Sequence, residues 1–266
     1  MADSVIAFDD ASAYENFMAR WSRSIGAVFL DWLAVPGSLK WLEIGCGTGV
    51  FTKLLLERCS PGAVTAVDSA TAQVYQARNA LEAQRVDIHV CDAQALPFAE
   101  NCFDIVASAL VINFIPLPSV ALAEMRRVCR PGGHVAGYVW DFVGERSSSW
   151  PLRRAFCQIG IEPPRIPGAD DTAPGALENL FGKAGLEDIA VTSIDVTARF
   201  SDFAEYWRSQ TPAFTPQGKA VAALNDRDRS RLIEALRTAL PPDRDGAITY
   251  SARANAIKAR RPRQSA

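Results

Sequence analysis

The 266-residue sequence predicts an α/β protein with a parallel sheet covered by helices on both faces, and three observations carry that prediction. Short apolar runs alternate with segments of helical period between about residues 39 and 140, the pattern of repeated strand–helix units. The first apolar run delivers the chain into three alternating glycines, Gly45, Gly47 and Gly49. The next two runs end in carboxylates, Asp68 and Asp92. Such an arrangement is that of a Rossmann-like sheet with a ligand crevice at the carboxyl ends of its strands.

The elements follow in order. Residues 11–34 form an amphipathic helix in which Phe17, Trp21, Ile25, Val28 and Leu33 recur at helical spacing. The first strand, Leu39 to Ile44, carries Glu43 near its end and leads into the glycines, which permit a tight turn and a close backbone approach to a ligand. A helix over 50–58 then points its first amides toward that ligand. A dinucleotide fingerprint needs G-x-G-x-x-G, but Val50 stands where the third glycine is required, so the spacing argues against NAD. The second strand, Val64 to Asp68, places Asp68 about twenty residues past the glycines, where a carboxylate accepts both ribose hydroxyls of an adenosine cofactor. Capping the helix over 70–82 is its alternative role. The third strand, Val86 to Val90, runs on to Asp92, so Glu43, Asp68 and Asp92 are expected along one crevice. A strand over Phe103 to Ser108, a helix over 118–129 and a strand over His134 to Val139 complete this core.

Beyond Trp140 the pattern changes, as Pro151, Pro163, Pro164, Pro167 and Pro174 break up the chain. A helix over Ala176 to Leu186 is closed by a glycine and followed by a strand from Asp188 to Thr197. The final strand spans about Ala247 to Ile257. Segments 141–180 and 201–246 are therefore elaborations of a core over 11–140. The second has helices near Asp202 to Arg208 and Asp226 to Leu240. Its aromatic residues Phe203, Tyr206 and Trp207 suit a cover over an enclosed small-molecule pocket, or a homodimer interface.

Composition fits one domain over 1–266 with 48% hydrophobic content. A net charge of −2 provides no field for nucleic acid, and the Arg126-Arg127, Arg153-Arg154 and Arg260-Arg261 pairs read as solvated surface. The six cysteines lack C-x-x-C spacing and read as reduced core thiols. With only His89 and His134 as histidines, no metal is expected. No leader pattern or membrane-length apolar run appears, so the expected location is the cytoplasm.

Glu43 to Gly49, the Asp68 strand end, the segment from Asp92 to Phe98 and the run Val128 to Gly133 together resemble class I S-adenosylmethionine-dependent methyltransferases, closest to the ubiquinone/menaquinone methylase-like (type 11) group. The likeness is strongest over about 14–140. It implies a seven-stranded sheet with an antiparallel last strand and S-adenosylmethionine as cofactor, released as S-adenosylhomocysteine. Glu43, Gly45, Cys46 and Gly47 would wall the methionine moiety, Asp68 would bind the ribose, and Asp92 and Ala93 would meet the adenine. Ser69 stands where a large apolar residue is frequent, Ala109 ends the fourth strand beside the cofactor, and Tyr14 would close over it. Asn113 replaces a histidine often found after the fourth strand, so no histidine base is available.

Methyl transfer needs an in-line acceptor and exclusion of water more than it needs a base. Asp141, just past the fifth strand, is the candidate base, or else a loop or cap carboxylate. Asn113 either orients an acceptor oxygen or satisfies the loop backbone. The expected reaction is O- or C-methylation of a small apolar or aromatic acceptor. A nicotinamide oxidoreductase and a non-catalytic cofactor-binding regulator are the alternatives.

Overall fold

The computed structural model describes residues 11–213 and 215–263, with side chains from Arg20 onward. Its strands are β1 (Lys40–Ile44), β2 (Ala63–Asp68), β3 (Val86–Val90), β4 (Phe103–Ala109), β5 (Cys129–Trp140), β6 (Glu187–Phe200) and β7 (Ile248–Arg260). They form one seven-stranded sheet in the order β3-β2-β1-β4-β5-β7-β6. Pairing is parallel from β3 through β5, and β7 runs antiparallel to both β5 and β6. The antiparallel last strand is thus inserted between β5 and β6.

Helices cover both faces: α1 (Ala11–Leu33), α2 (Val50–Cys59) and α3 (Thr71–Ala80), then α4 (Pro118–Val128) and α6 (Pro174–Lys183). Period-two alternation divides β1 between two cores, Trp41 facing one and Leu42 the other. On the first face Trp21, Ile25, Phe29 and Leu33 of α1 pack with Trp41, Phe51, Tyr138 and Trp140. On the second, Leu122, Met125, Leu177 and Phe181 of α4 and α6 meet Leu42, Val106, Val135 and Ile257. The sequence stripe for α1 needs one correction, since Val28 is 46% exposed and Phe29 takes the inward position. Phe17 and Tyr14 lie where side chains are not described.

Several strands are longer than their apolar runs suggest. β5 begins at Cys129, which pairs with Phe103 across a register shift before His134 meets Ile105. β6 and β7 pair from Glu187–Arg260 to Phe200–Ile248, so cross-strand hydrogen bonding carries both beyond the predicted ends. The expectation of core thiols also needs correction. Cys46, Cys91 and Cys129 are buried and Cys59 partly so, whereas Cys102, just before β4, and Cys157 are exposed; all six are free.

Because β6 runs parallel to β5, both 141–173 and 201–246 leave the sheet at its carboxyl end. The first segment holds α5 (Trp150–Gln158). The second folds into α7 (Phe203–Gln210), α8 (Pro216–Ala222) and α9 (Asp226–Ala239). Their starts are set by side-chain caps: Asp202, Thr215 and Asn225 accept the amides of Glu205 (2.7 Å), Gly218 (3.0 Å) and Asp228 (2.9 Å). The two segments are joined by Arg231, which donates to the Ile159 carbonyl at 3.1 Å, and Tyr250 of β7 donates to the Ser148 carbonyl of the first segment. Arg20 of α1 reaches the Arg199 carbonyl and the Glu205 carboxylate, fastening α1 to α7.

Candidate active site

The turn after β1 is glycine-rich for two different reasons. Gly45, Gly47 and Gly49 have φ of +74°, +54° and +86°, a region that side chains with a Cβ enter at a cost. A Cβ on Gly45 would lie 2.4 Å from Val111 Cγ2, and one on Gly49 would lie 2.9 Å from Leu81 Cδ1. Gly45 therefore accommodates the chain leaving β4, and Gly49 the end of α3. The sequence assigned this freedom to a tight turn and to ligand approach, not to these two packing contacts.

Glu43 and Asp68 form the acidic floor of the turn. Glu43 is fully buried on β1, and its Oε2 accepts from Thr52 Oγ1 of α2 at 2.6 Å. Its Oε1 is buried with no hydrogen-bond partner. Burial pushes this carboxyl up to about 7, the Asp68 charge adds to the effect, and the Thr52 hydrogen bond opposes it. Asp68 accepts the Gly47 amide on Oδ2 and the Ala70 amide on Oδ1, both at 2.9 Å. Its carboxyl is also raised by burial, against the pull of these backbone amides. Asp68 thus ties the glycine turn to the start of the β2–α3 connection, and α3 begins without a side-chain cap from it. Cys46 between them is a buried thiol pushed well up, chiefly by burial and then by Glu43 and Asp68.

The third acid sits at the rim. Asp92 is exposed, its Oδ1 accepting the Gln94 amide at 2.9 Å, and the Cys91 amide donates to the Asp68 carbonyl at 2.9 Å, joining the ends of β2 and β3. Gln94, which the sequence did not single out, binds Asp92 through Nε2 and accepts the Leu117 amide on Oε1 at 3.1 Å. Ser69 is exposed, while Ala93 and Ala109 are partly buried. Asp68, Ser69, Asp92 and Ala93 therefore share one end of the sheet with Glu43 and the turn. Tyr14 lies outside the described side chains.

Asn113 and Asp141 are held differently from a free catalytic pair. Asn113 follows β4 in a single 3-10 turn (Ile112–Phe114), is 7% exposed, and donates from Nδ2 to the Pro167 carbonyl at 3.1 Å. Its Oδ1 is buried without a partner. Asp141 is equally buried, and its Oδ1 accepts the Gly144 amide at 2.8 Å in the turn that follows β5. That geometry matches the loop-carboxylate alternative for Asp141 and commits one oxygen to the backbone. Thr52 and Val111, like Gln94, are site residues that sequence reasoning missed, since none of them is itself charged or a glycine. Among the described residues no cluster of three or more His, Cys, Asp or Glu side chains could hold a metal.

The site's residues suit an adenosine cofactor with an amino-acid tail. Glu43 offers an unpartnered buried oxygen beside the turn, and Asp68 retains lone pairs beyond its two amides.

Residues 42–137 match a methyltransferase domain family of the type 11 group. The ubiquinone/menaquinone biosynthesis C-methyltransferase UbiE of Roseobacter denitrificans is 36% identical over 110 residues, covering 40% of this chain and 44% of that protein. The chain thus spans less than half the length of this curated relative. Phosphoethanolamine N-methyltransferase 2 of Haemonchus contortus, solved with phosphomonomethylethanolamine and S-adenosylhomocysteine, superposes with a TM-score of 0.57 at 20% identity, over 95% of this chain and 57% of that one. The [4+2]-cyclase SpnF superposes with a TM-score of 0.53 at 20% identity, over 98% and 86% of the two chains. With the 3-2-1-4-5-7-6 sheet and the acidic glycine turn, these likenesses show a methyltransferase domain of the type 11 group over residues 42–137, within a chain that has the fold of the solved methyltransferase structures.

Proposed function

We propose that the chain methylates carbon or oxygen of a small, oxygen-bearing ring compound, using S-adenosylmethionine, in a pocket covered by residues 141–180 and 201–246. The observation that carries the cofactor half of this reading is the buried Glu43–Asp68 pair on the glycine turn, with Glu43 Oε1 unpartnered. When bound, the cofactor supplies a sulfonium methyl that is already electrophilic. The chain's own task is to hold the cofactor's tail at Glu43 and its ribose at Asp68, to orient the acceptor and to exclude water.

The acceptor half is supported by an aromatic group where α1 and the ends of β5, β6 and β7 meet α7 of the second segment. Trp21, Trp140, Phe200, Tyr206 and Tyr250 form a continuous aromatic group, with ring centroids of neighbouring pairs 5.2–5.9 Å apart. Within it the Tyr206 hydroxyl and Gln210 Oε1 are buried with no hydrogen-bond partner. One donor and one acceptor in an apolar surround suit a ring carrying a hydroxyl or carbonyl oxygen. The C-methyltransferase relative, named for ubiquinone and menaquinone biosynthesis, supports the same class.

Calorimetry should show binding of S-adenosylmethionine and S-adenosylhomocysteine and none of NAD. Asp68→Ala should weaken cofactor binding by about 1.5–3 kcal/mol, the scale of hydrogen bonds to a charged group. NAD binding without a response to either sulfur nucleoside would refute the reading. The cyclase neighbour favours a second reading, a binding protein of this fold that transfers no methyl group. Methyl-labelled cofactor incubated with quinol and phenol acceptors separates the two, since only the first reading yields labelled product.

A further inference from the structure

Thr52 stands at the third position of α2, is fully buried, and donates its hydroxyl to Glu43 Oε2 at 2.6 Å. A threonine within a helix commonly returns its hydroxyl to a carbonyl one turn back. Here the hydroxyl instead leaves α2 for the end of β1. Glu43 therefore has one oxygen held and the other, Oε1, buried without a partner. The neighbouring Thr48 hydroxyl, at the same turn, is also buried and unpartnered. A buried carboxylate left half satisfied costs free energy unless a ligand supplies the missing donor.

The groups acting on Glu43 are Thr52 from α2 and Asp68 from β2, with the Cys46 thiol in the turn between. None of these three is a cation.

We propose that Thr52 is the positioning residue of the cofactor site: its hydroxyl, bonded to Oε2, favours the carboxylate form of Glu43 and turns it so that Oε1 meets the ammonium group of the cofactor's amino-acid tail. This rests on the reading of the chain as an S-adenosylmethionine-binding protein. Burial and the Asp68 charge drive Glu43 toward its neutral form, and the Thr52 hydrogen bond holds it back. Without that hydroxyl, a proton competes with the cofactor for Oε1. The loss should therefore depend on pH, whereas a packing defect would not.

The test is calorimetry with S-adenosylhomocysteine between pH 6 and 8.5 on the full chain, as wild type, Thr52→Val and Thr52→Ser. Thr52→Val should bind about tenfold more weakly at pH 7, with the gap closing toward pH 8.5 as Glu43 ionises unaided, and Thr52→Ser should match wild type. A readout on the ligand-free protein accompanies it. Carbon NMR of the glutamate carboxyls, with Glu43 assigned through Glu43→Gln, should show its titration midpoint moving up in Thr52→Val. Unchanged affinity, or a loss of equal size at every pH, would overturn the proposal. If Thr52→Val does not fold, Thr52→Ala carries the same expectations. Wild type that ignores S-adenosylhomocysteine would remove the cofactor reading itself and the proposal with it, whereas the failure of the Thr52 variants alone leaves that reading standing.

Discussion

Glu43 and His134 pull the stability of the ligand-free protein in opposite directions as pH changes. Burial, aided by the Asp68 charge, raises the Glu43 carboxyl from 4.5 to about 7, so between those values the folded chain holds a proton that the unfolded chain has released. Its contribution is complete below pH 4.5 and is lost as pH rises through 7. His134 on β5 is lowered from 6.5 to about 4, first by burial and then by Arg260 and Lys258. Its contribution is complete above 6.5 and is lost as pH falls through 4. A raw stability profile mixes the two, so the difference between variants is the informative quantity. Glu43→Gln should gain on wild type as pH rises, by about 1 kcal/mol at pH 5 and on the order of 3 kcal/mol at pH 8, as urea unfolding at both pH values would show. A difference independent of pH would mean that Glu43 does not titrate in this window.

At the level of elements, the turn after β1 and the chain leaving β4 are fitted to each other through Gly45 and Val111. Gly45→Ala adds a methyl 2.4 Å from Val111 Cγ2 at a left-handed φ, and should destabilise the fold by about 2–5 kcal/mol. Combining it with Val111→Ala should recover the steric share and leave the backbone share, which a double-mutant cycle by urea unfolding would measure. Strict additivity would show that the two segments are not in contact. This contact illustrates what the sequence could and could not disclose. The parallel core was readable because strand periodicity and acidic strand ends are local signals, and α7 and α9 were readable as helices near Asp202 to Arg208 and Asp226 to Leu240. The role of Gly45 was only half readable, because its partner is sixty-six residues away. Asn113 stayed open for the same reason, since its partner, the Pro167 carbonyl, is 54 residues away, whereas Asp141 takes a local partner, the Gly144 amide three residues on, as the loop-carboxylate reading allowed. The start of β5 at Cys129 was hidden because Pro131, Gly132 and Gly133 carry no strand propensity.

Across the whole molecule, the second of the two segments proposed as a cover is tied to α1 and β6 by ion pairs between partly exposed side chains, Arg20–Glu205 and Arg199–Asp243 among them. α1 reaches α7 through Arg20 and Glu205, whose side chains are both partly exposed, and an ion pair of that kind contributes little. The cover should therefore open more readily than the sheet. Hydrogen exchange should show faster exchange in α7, α8 and α9 than in β1 and β4, slowing when S-adenosylhomocysteine is added. If protection instead follows protein concentration and ignores the ligand, the aromatic segments form an interface between copies. The distribution of thiols supplies a second way to watch the same motion. Of the six cysteines, the two that are exposed lie on opposite sides of this division, Cys102 at the foot of β4 and Cys157 on α5. The native chain thus already carries a pair of attachment points for spin labels or fluorophores, and the distance between the two probes becomes a ruler for the cover with no engineered residue.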